Sequence, residues 1–263
     1  MSQTAANHTL MGLQCAALDI AVHECVLVKQ LSVSFAAGAI TAVLGRNGTG
    51  KSLTLHTLAG LRNASSGNVA LHARTLIQYS RRELAQRLSF VAQDIEEPFP
   101  VTALEVALSG RHPHIDFWHW ETERDYAIAR EALAAVDLQS FEQRSIATLS
   151  GGERRRLAIA SALAQQPEVF ILDEPTNHLD PQHQLQVMKL LRSKADAGCT
   201  VIMSLHDPGL AARYADAALL LFGDGHWEFG STANTLTADH LTRLYATTTL
   251  EVHSPVGRAF ISV

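Results

Sequence analysis

The octapeptide Gly45-Arg46-Asn47-Gly48-Thr49-Gly50-Lys51-Ser52 constrains this chain more than any other feature. It satisfies G-x-x-x-x-G-K-[ST], follows the continuous apolar run Ala39 to Leu44, and precedes a stretch from Ser52 to Leu61 that reads as a helix stopping at Arg62-Asn63. A strand, a glycine-rich turn and a helix in that order predict a phosphate loop. The glycines let successive backbone N–H groups turn inward around the β- and γ-phosphates of a nucleotide, and the helix start adds its positive dipole end. The Lys51 ammonium balances phosphate charge, and Ser52 is the expected magnesium ligand. A complete motif in this frame leaves little room for a chance glycine-rich turn.

With 263 residues, 47% of them apolar, the chain can bury a sizeable core. Its net charge of −5 and its 6% aromatic content offer no basic face interleaved with stacking rings, so nucleic acid is not an expected partner. Cys15, Cys25 and Cys199 lack any C-x-x-C spacing and read as reduced thiols of the cytosol. No apolar run approaches the roughly 18 residues of a membrane span, so any work at a membrane is expected from its surface.

Short β-rich runs at Leu18 to Val22, Val26 to Val28 and Leu31 to Phe35 predict an antiparallel piece at the front. Strands are expected at Leu88 to Val91, Val169 to Leu172 and Thr200 to Leu205, with the helix Gln182 to Ala195 joining the last two. The segment from about Asp94 to Ala160 reads as mainly helical. Strands at Ala217 to Phe222 and Trp227 to Gly230, then a short helix and strands over Leu241 to Val263, finish the pattern. The expectation is one α/β domain over 1–263. Residues 1–93 and 161–263 form a parallel-sheet core with its antiparallel β piece, and 94–160 an inserted helical subdomain.

Two further motifs carry chemistry. The apolar strand Val169 to Leu172 ends in Asp173-Glu174. Because ligands sit at the carboxyl ends of strands in an α/β sheet, Asp173 is expected to reach a hydrated magnesium and Glu174 to polarise the attacking water. Ser150-Gly151-Gly152-Glu153 has the S-x-x-E spacing of a capping box. A cap alone does not call for two glycines, whose missing side chains would admit a phosphate to the helix N-terminus. A second phosphate element about 100 residues from the first is readily used on a partner's nucleotide in a two-fold dimer. Arg154-Arg155-Arg156 reads as a solvated or interdomain face. His112, His114 and His119 fit no zinc spacing, and Trp118 with Trp120 suggests a packing surface.

Together these motifs resemble the nucleotide-binding subunit of ABC transporters, over nearly the whole chain and in that family's order. The resemblance implies a P-loop NTPase fold and an ATPase using ATP and magnesium. It also implies a homodimer on the cytoplasmic face of the inner membrane, working with permease subunits and a separate substrate-binding protein. It assigns Gln93, in Phe90-Val91-Ala92-Gln93, as the glutamine that senses magnesium and the permease. Asn177-His178-Leu179-Asp180 becomes the loop crossing the dimer interface, and His206 the switch histidine at the γ-phosphate. The family's adenine-stacking aromatic is missing from Ala21-Val22-His23-Glu24, which predicts weaker stacking and looser preference for adenine over guanine. The stretches Phe99 to His114 and Asp180 to Gln184 are similar to importers of iron chelates, haem and cobalamin. The alternative is a soluble mechanical ATPase of the same superfamily, acting in translation or DNA repair.

Overall fold

The computed structural model describes residues 12–93, 101–116, 118–254 and 257–263. The chain opens with a long antiparallel hairpin of β1 (Leu13–Val22) and β2 (Cys25–Phe35), in register from Leu13 opposite Phe35 to Val22 opposite Cys25. Three register shifts between Cys15 and Ala21 break the alternation, which is why the sequence shows separate short runs where the strands are continuous. β3 (Ile40–Leu44) follows, all five residues buried, and leads through the glycine-rich loop into α1 (Lys51–Leu58). Then come β4 (Ser66–Leu71), β5 (Arg74–Thr75), α2 (Arg81–Ala85) and β6 (Leu88–Val91). Three helices follow, α3 (Ala103–Ser109), α4 (Glu123–Ala135) and α5 (Gly151–Ala164).

The alternating pattern then resumes with β7 (Val169–Leu172), α6 (Pro181–Asp196), β8 (Thr200–Ser204), α7 (Pro208–Tyr214), β9 (Ala217–Leu221) and β10 (Trp227–Ser231). The described chain closes with α8 (Thr232–Thr235), α9 (Ala238–Tyr245) and the hairpin β11 (Thr249–Ser254) and β12 (Gly257–Ser262).

The main sheet has the order β10-β9-β3-β8-β7-β6, parallel except for β10, and the front sheet the order β2-β1-β4-β5. β4 was not anticipated, because Ser66-Gly67-Asn68 reads as a turn; it is strand because it pairs with β1. Residues of the main sheet point alternately to two cores. Ala42, Leu44, Phe170, Leu172 and Val201 join the core with α3 to α7 and α9, whereas Val43, Ile171, Ile202 and Leu219 join the core with β1, β2 and α1. Strands covered on both faces are apolar nearly throughout, which is how β3, β7 and β8 appear in the sequence, with Thr41, Thr200 and Ser204 as the exceptions.

α3, α4 and α5 pack on one another. α5 runs on to Ala164, so position 160 lies inside a continuous helix. Among the described residues, no helix is long and apolar enough to cross a membrane.

Two expectations are refined. Of the three arginines only Arg154 is exposed; Arg155 and Arg156 are buried, with their guanidinium groups hydrogen-bonded to backbone carbonyls, and Arg155 joins α5 to the ends of β6 and β7, so the stretch faces inward more than it faces solvent. Trp118 and Trp120 are each 87% exposed, so this chain does not bury them in its own core; they precede α4. His114 Nε2 lies 2.8 Å from the Gln165 carbonyl, and His112 Nε2 lies 3.8 Å from Glu121.

Candidate nucleotide-binding site

Because β3, β6, β7 and β8 run parallel and pair in order, their carboxyl ends share one edge, with Val43 opposite Ser204, Leu172 opposite Met203 and Val91 opposite Leu172. The residues that follow these strands are therefore delivered to one place. Gly45 follows β3, Gln93 follows β6, Asp173 and Glu174 follow β7, and His206 follows β8. A cleft of about 460 Å³ opens there, and its walls include Gly48, Lys51, Ser52, Gln93, Glu174 and His206.

The loop itself is shaped for an anion. Gly50 sits at the N-cap of α1 with φ +96°, and a Cβ there would meet the Leu27 side chain at 3.2 Å. α1 has no side-chain cap, whereas α2 to α7 and α9 each begin with a Ser, Thr or Asp that accepts from the first turn. Its first amides are therefore left to another acceptor. The Lys51 ammonium donates to the Gly45 carbonyl at 2.9 Å and the Arg46 carbonyl at 3.2 Å, which holds it across the loop. Burial lowers the Lys51 pKa, and the nearby Glu174 and Asp173 carboxylates oppose that shift.

The acidic pair divides as two different environments. Asp173 is buried; its Oδ1 accepts from the Ser204 hydroxyl at 2.5 Å, while Oδ2 has no hydrogen-bond partner among the described residues. A buried carboxylate oxygen left without a donor is a costly arrangement that a cation would relieve, so the residues present fit a magnesium ion. Glu174 has a left-handed backbone, φ +53°, held by its N–H donating to Ser204 Oγ at 2.8 Å. Its carboxylate lies 2.5 Å from His206 Nε2 and accepts from Asn177 Nδ2 at 3.2 Å. The sequence reading assigns Ser204 no part in the site, and places Asn177 only in the loop that leads to Asp180, with no contact to Glu174. The only signal for Ser204 was a hydroxyl ending the apolar run of β8.

Ser150, Gly151, Gly152 and Asp180 are not among the residues lining this cleft. Ser150 caps α5, accepting from Glu153 N at 3.2 Å while its own N–H donates to Glu153 Oε2 at 2.7 Å. A Cβ on Gly152 would come within 3.0 Å of the His178 carbonyl, so this glycine is needed for close packing inside the chain. Gly151 is not so constrained, its nearest neighbour being the His178 Cβ at 3.8 Å. Asp180 caps α6, accepting from His183 N at 3.0 Å. At the β1–β2 turn His23 has φ +52°, and Arg62 donates to the Ala21 carbonyl at 2.6 Å, which ties the turn to the end of α1.

A phosphate loop on a central parallel strand, facing acidic and histidine side chains from neighbouring strands, defines the class of P-loop nucleoside triphosphatases. Within that class, the profile of the ABC transporter family matches residues 28–177. A hemin import ATP-binding protein of Rhodococcus jostii is 36% identical over 89% of this chain and 79% of its own. A ferric enterobactin transport ATP-binding protein of Escherichia coli is 34% identical over 88% of this chain and 86% of its own. A solved chain from an inward-facing metal-chelate type ABC transporter superposes with a TM-score of 0.84 at 30% identity, covering 96% of this chain and 98% of that one. The protein belongs to the ABC transporter ATP-binding family and is an ATPase of that family.

Proposed function

We propose that this chain energises a membrane importer by binding ATP between two head-to-tail copies and hydrolysing it. The observation that carries this reading is the division of the motifs: one cleft gathers the phosphate loop, Gln93, Glu174 and His206, while Ser150 to Gly152 and Asp180 stand apart from it. In the two-fold dimer each cleft is completed by the partner's Ser150 element and Asp180 loop.

In this reading residues 45–52 cradle the phosphates, with Gly45, Arg46, Asn47, Gly48, Thr49 and Gly50 forming the loop, Lys51 neutralising charge and Ser52 turning toward the metal. Ser52, Gln93 and Asp173 would hold magnesium, which when bound neutralises the charge of the phosphate oxygens. Glu174 accepts the proton of the water that attacks the γ-phosphorus as the bond to the β-phosphate oxygen breaks, and ADP leaves. His206 and Asn177 fix that carboxylate in place. Residues 1–93 and 161–263 act as the nucleotide core, and 94–160 as a helical subdomain that answers to the permease.

The relatives' names, hemin import and ferric enterobactin transport, support an iron chelate or haem as cargo, with cobalamin the third member of the similar group. The chain then sits on the cytoplasmic face of the membrane with permease subunits and a separate substrate-binding protein. The decisive experiment is Glu174→Gln: phosphate release falls by about a thousandfold, and the variant accumulates as an ATP-bound dimer in size-exclusion chromatography. An unchanged rate removes Glu174 as the base.

A further inference from the structure

We propose that Arg155 is a positioning residue that couples, within one chain, the Ser150 element to the residues facing the nucleotide. The three consecutive arginines of α5 behave differently. Arg154 donates to the carbonyls of Ile146 and Ala147, both at 3.2 Å, and Arg156 to those of Val136 at 2.7 Å and Asp137 at 3.2 Å. All four carbonyls lie on the connections between the packed helices. Arg155 instead crosses to the sheet. Its Nη1 donates to the carbonyls of Ala92 and Gln93, and its Nη2 to the carbonyl of Asp173. The residue is 3% exposed.

A guanidinium taken out of water is costly unless its donors are satisfied, and packing alone would be met by an apolar side chain of similar length. The planar fork suits this position because it reaches two strand ends at once, which a lysine cannot do. The consequence is mechanical. α5 begins at Ser150-Gly151-Gly152, and Arg155 lies one turn further on. A rotation of α5 against the sheet therefore displaces the backbone of Gln93 and Asp173 or breaks these bonds. This inference rests on the nucleotide reading above: closure of a partner on the Ser150 element would be felt at Gln93 and Asp173 of the same chain.

The test compares Arg155→Lys with Arg156→Lys, an equally conservative change at a buried arginine whose bonds stay among the helices. Expected for Arg155→Lys is a kcat lower by about tenfold or more with KM for ATP changed less than about threefold. The magnesium concentration that half-saturates binding of a fluorescent ATP analogue should also rise several-fold. Arg156→Lys should move neither. Equal behaviour of the two variants, both folded, overturns the proposal.

If Arg155→Lys does not fold, hydrogen exchange on the unmodified chain decides. Magnesium and a non-hydrolysable ATP analogue, at concentrations where the chain is monomeric, should slow exchange of amides 151–156, and no change there overturns the coupling. Failure of the unmodified chain to bind the analogue at all overturns the nucleotide assignment itself, and Arg155's role with it.

Discussion

Glu174 is held in a backbone conformation that L residues seldom adopt, and such strain costs on the order of 1 kcal/mol or more. Ser204 is the post that keeps it there, one hydroxyl accepting from the Glu174 amide and donating to Asp173. A buried serine thus fixes two adjacent acidic residues at once. Another buried pair is purely structural. Asp125 accepts from the Thr122 hydroxyl at 2.6 Å and from Arg111 Nε at 3.0 Å, and Arg111 also donates to the Ala164 carbonyl, which ties α4 to the end of α5. The Thr122 hydroxyl first, then its amide and Arg111, hold the Asp125 carboxyl down at about 2 against an ordinary 3.8. Since the folded value is the lower one, Asp125 adds stability above pH 4 and loses it as pH falls toward 2. Urea denaturation of Asp125→Asn should therefore show a deficit of about 2 kcal/mol at pH 7 that narrows at pH 3. A deficit that does not vary with pH would show that the charge is not what matters.

The elements divide according to whether local pattern or distant pairing makes them. α5 starts with a reciprocal cap, and loss of a serine cap costs about 1 kcal/mol. Ser150→Ala should lower Tm by only a few degrees, yet reduce ATP turnover by about tenfold or more if the same hydroxyl serves a partner's phosphate. A fall in turnover no larger than the stability loss explains would confine Ser150 to capping. β6 and β7 were legible to the residue, because each is a short run in which apolar residues dominate between polar ends. β1 and β2 were legible only in fragments, since their bulges scramble the alternation. β4 was not legible at all, its first three residues being turn formers that become strand through pairing with β1. In the site, Lys51, Gln93, Glu174 and His206 were found from motif and order, and they meet in one cleft. The bonds of Ser204, Asn177 and Arg155 were not, because a single hydroxyl, amide or guanidinium carries no spacing, and only the fold shows what it touches.

At the scale of the whole molecule, the proposed dimer puts the phosphate loop and the Ser150 element in different halves of a composite site, and complementation tests that arrangement. Lys51→Ala disables a chain's own loop, and Ser150→Arg disables what it offers its partner. Each variant alone should be inactive, since every site in its dimer carries the lesion. An equal mixture should recover turnover through heterodimers that contain one intact site, read as phosphate release against protein concentration. No recovery on mixing would rule out sites shared between copies.

The start of α1 sets a trap for anyone who would engineer this protein. Among the described α-helices only α1 and the four-residue α8 start without a side-chain cap, and in α1 the residue at that position is Gly50. A search for sturdier variants that scored only heat resistance would be drawn to that helix start, where a residue with its own cap would supply the missing acceptor. The repaired molecule would be the more durable of the two, and it would have lost its grip on ATP.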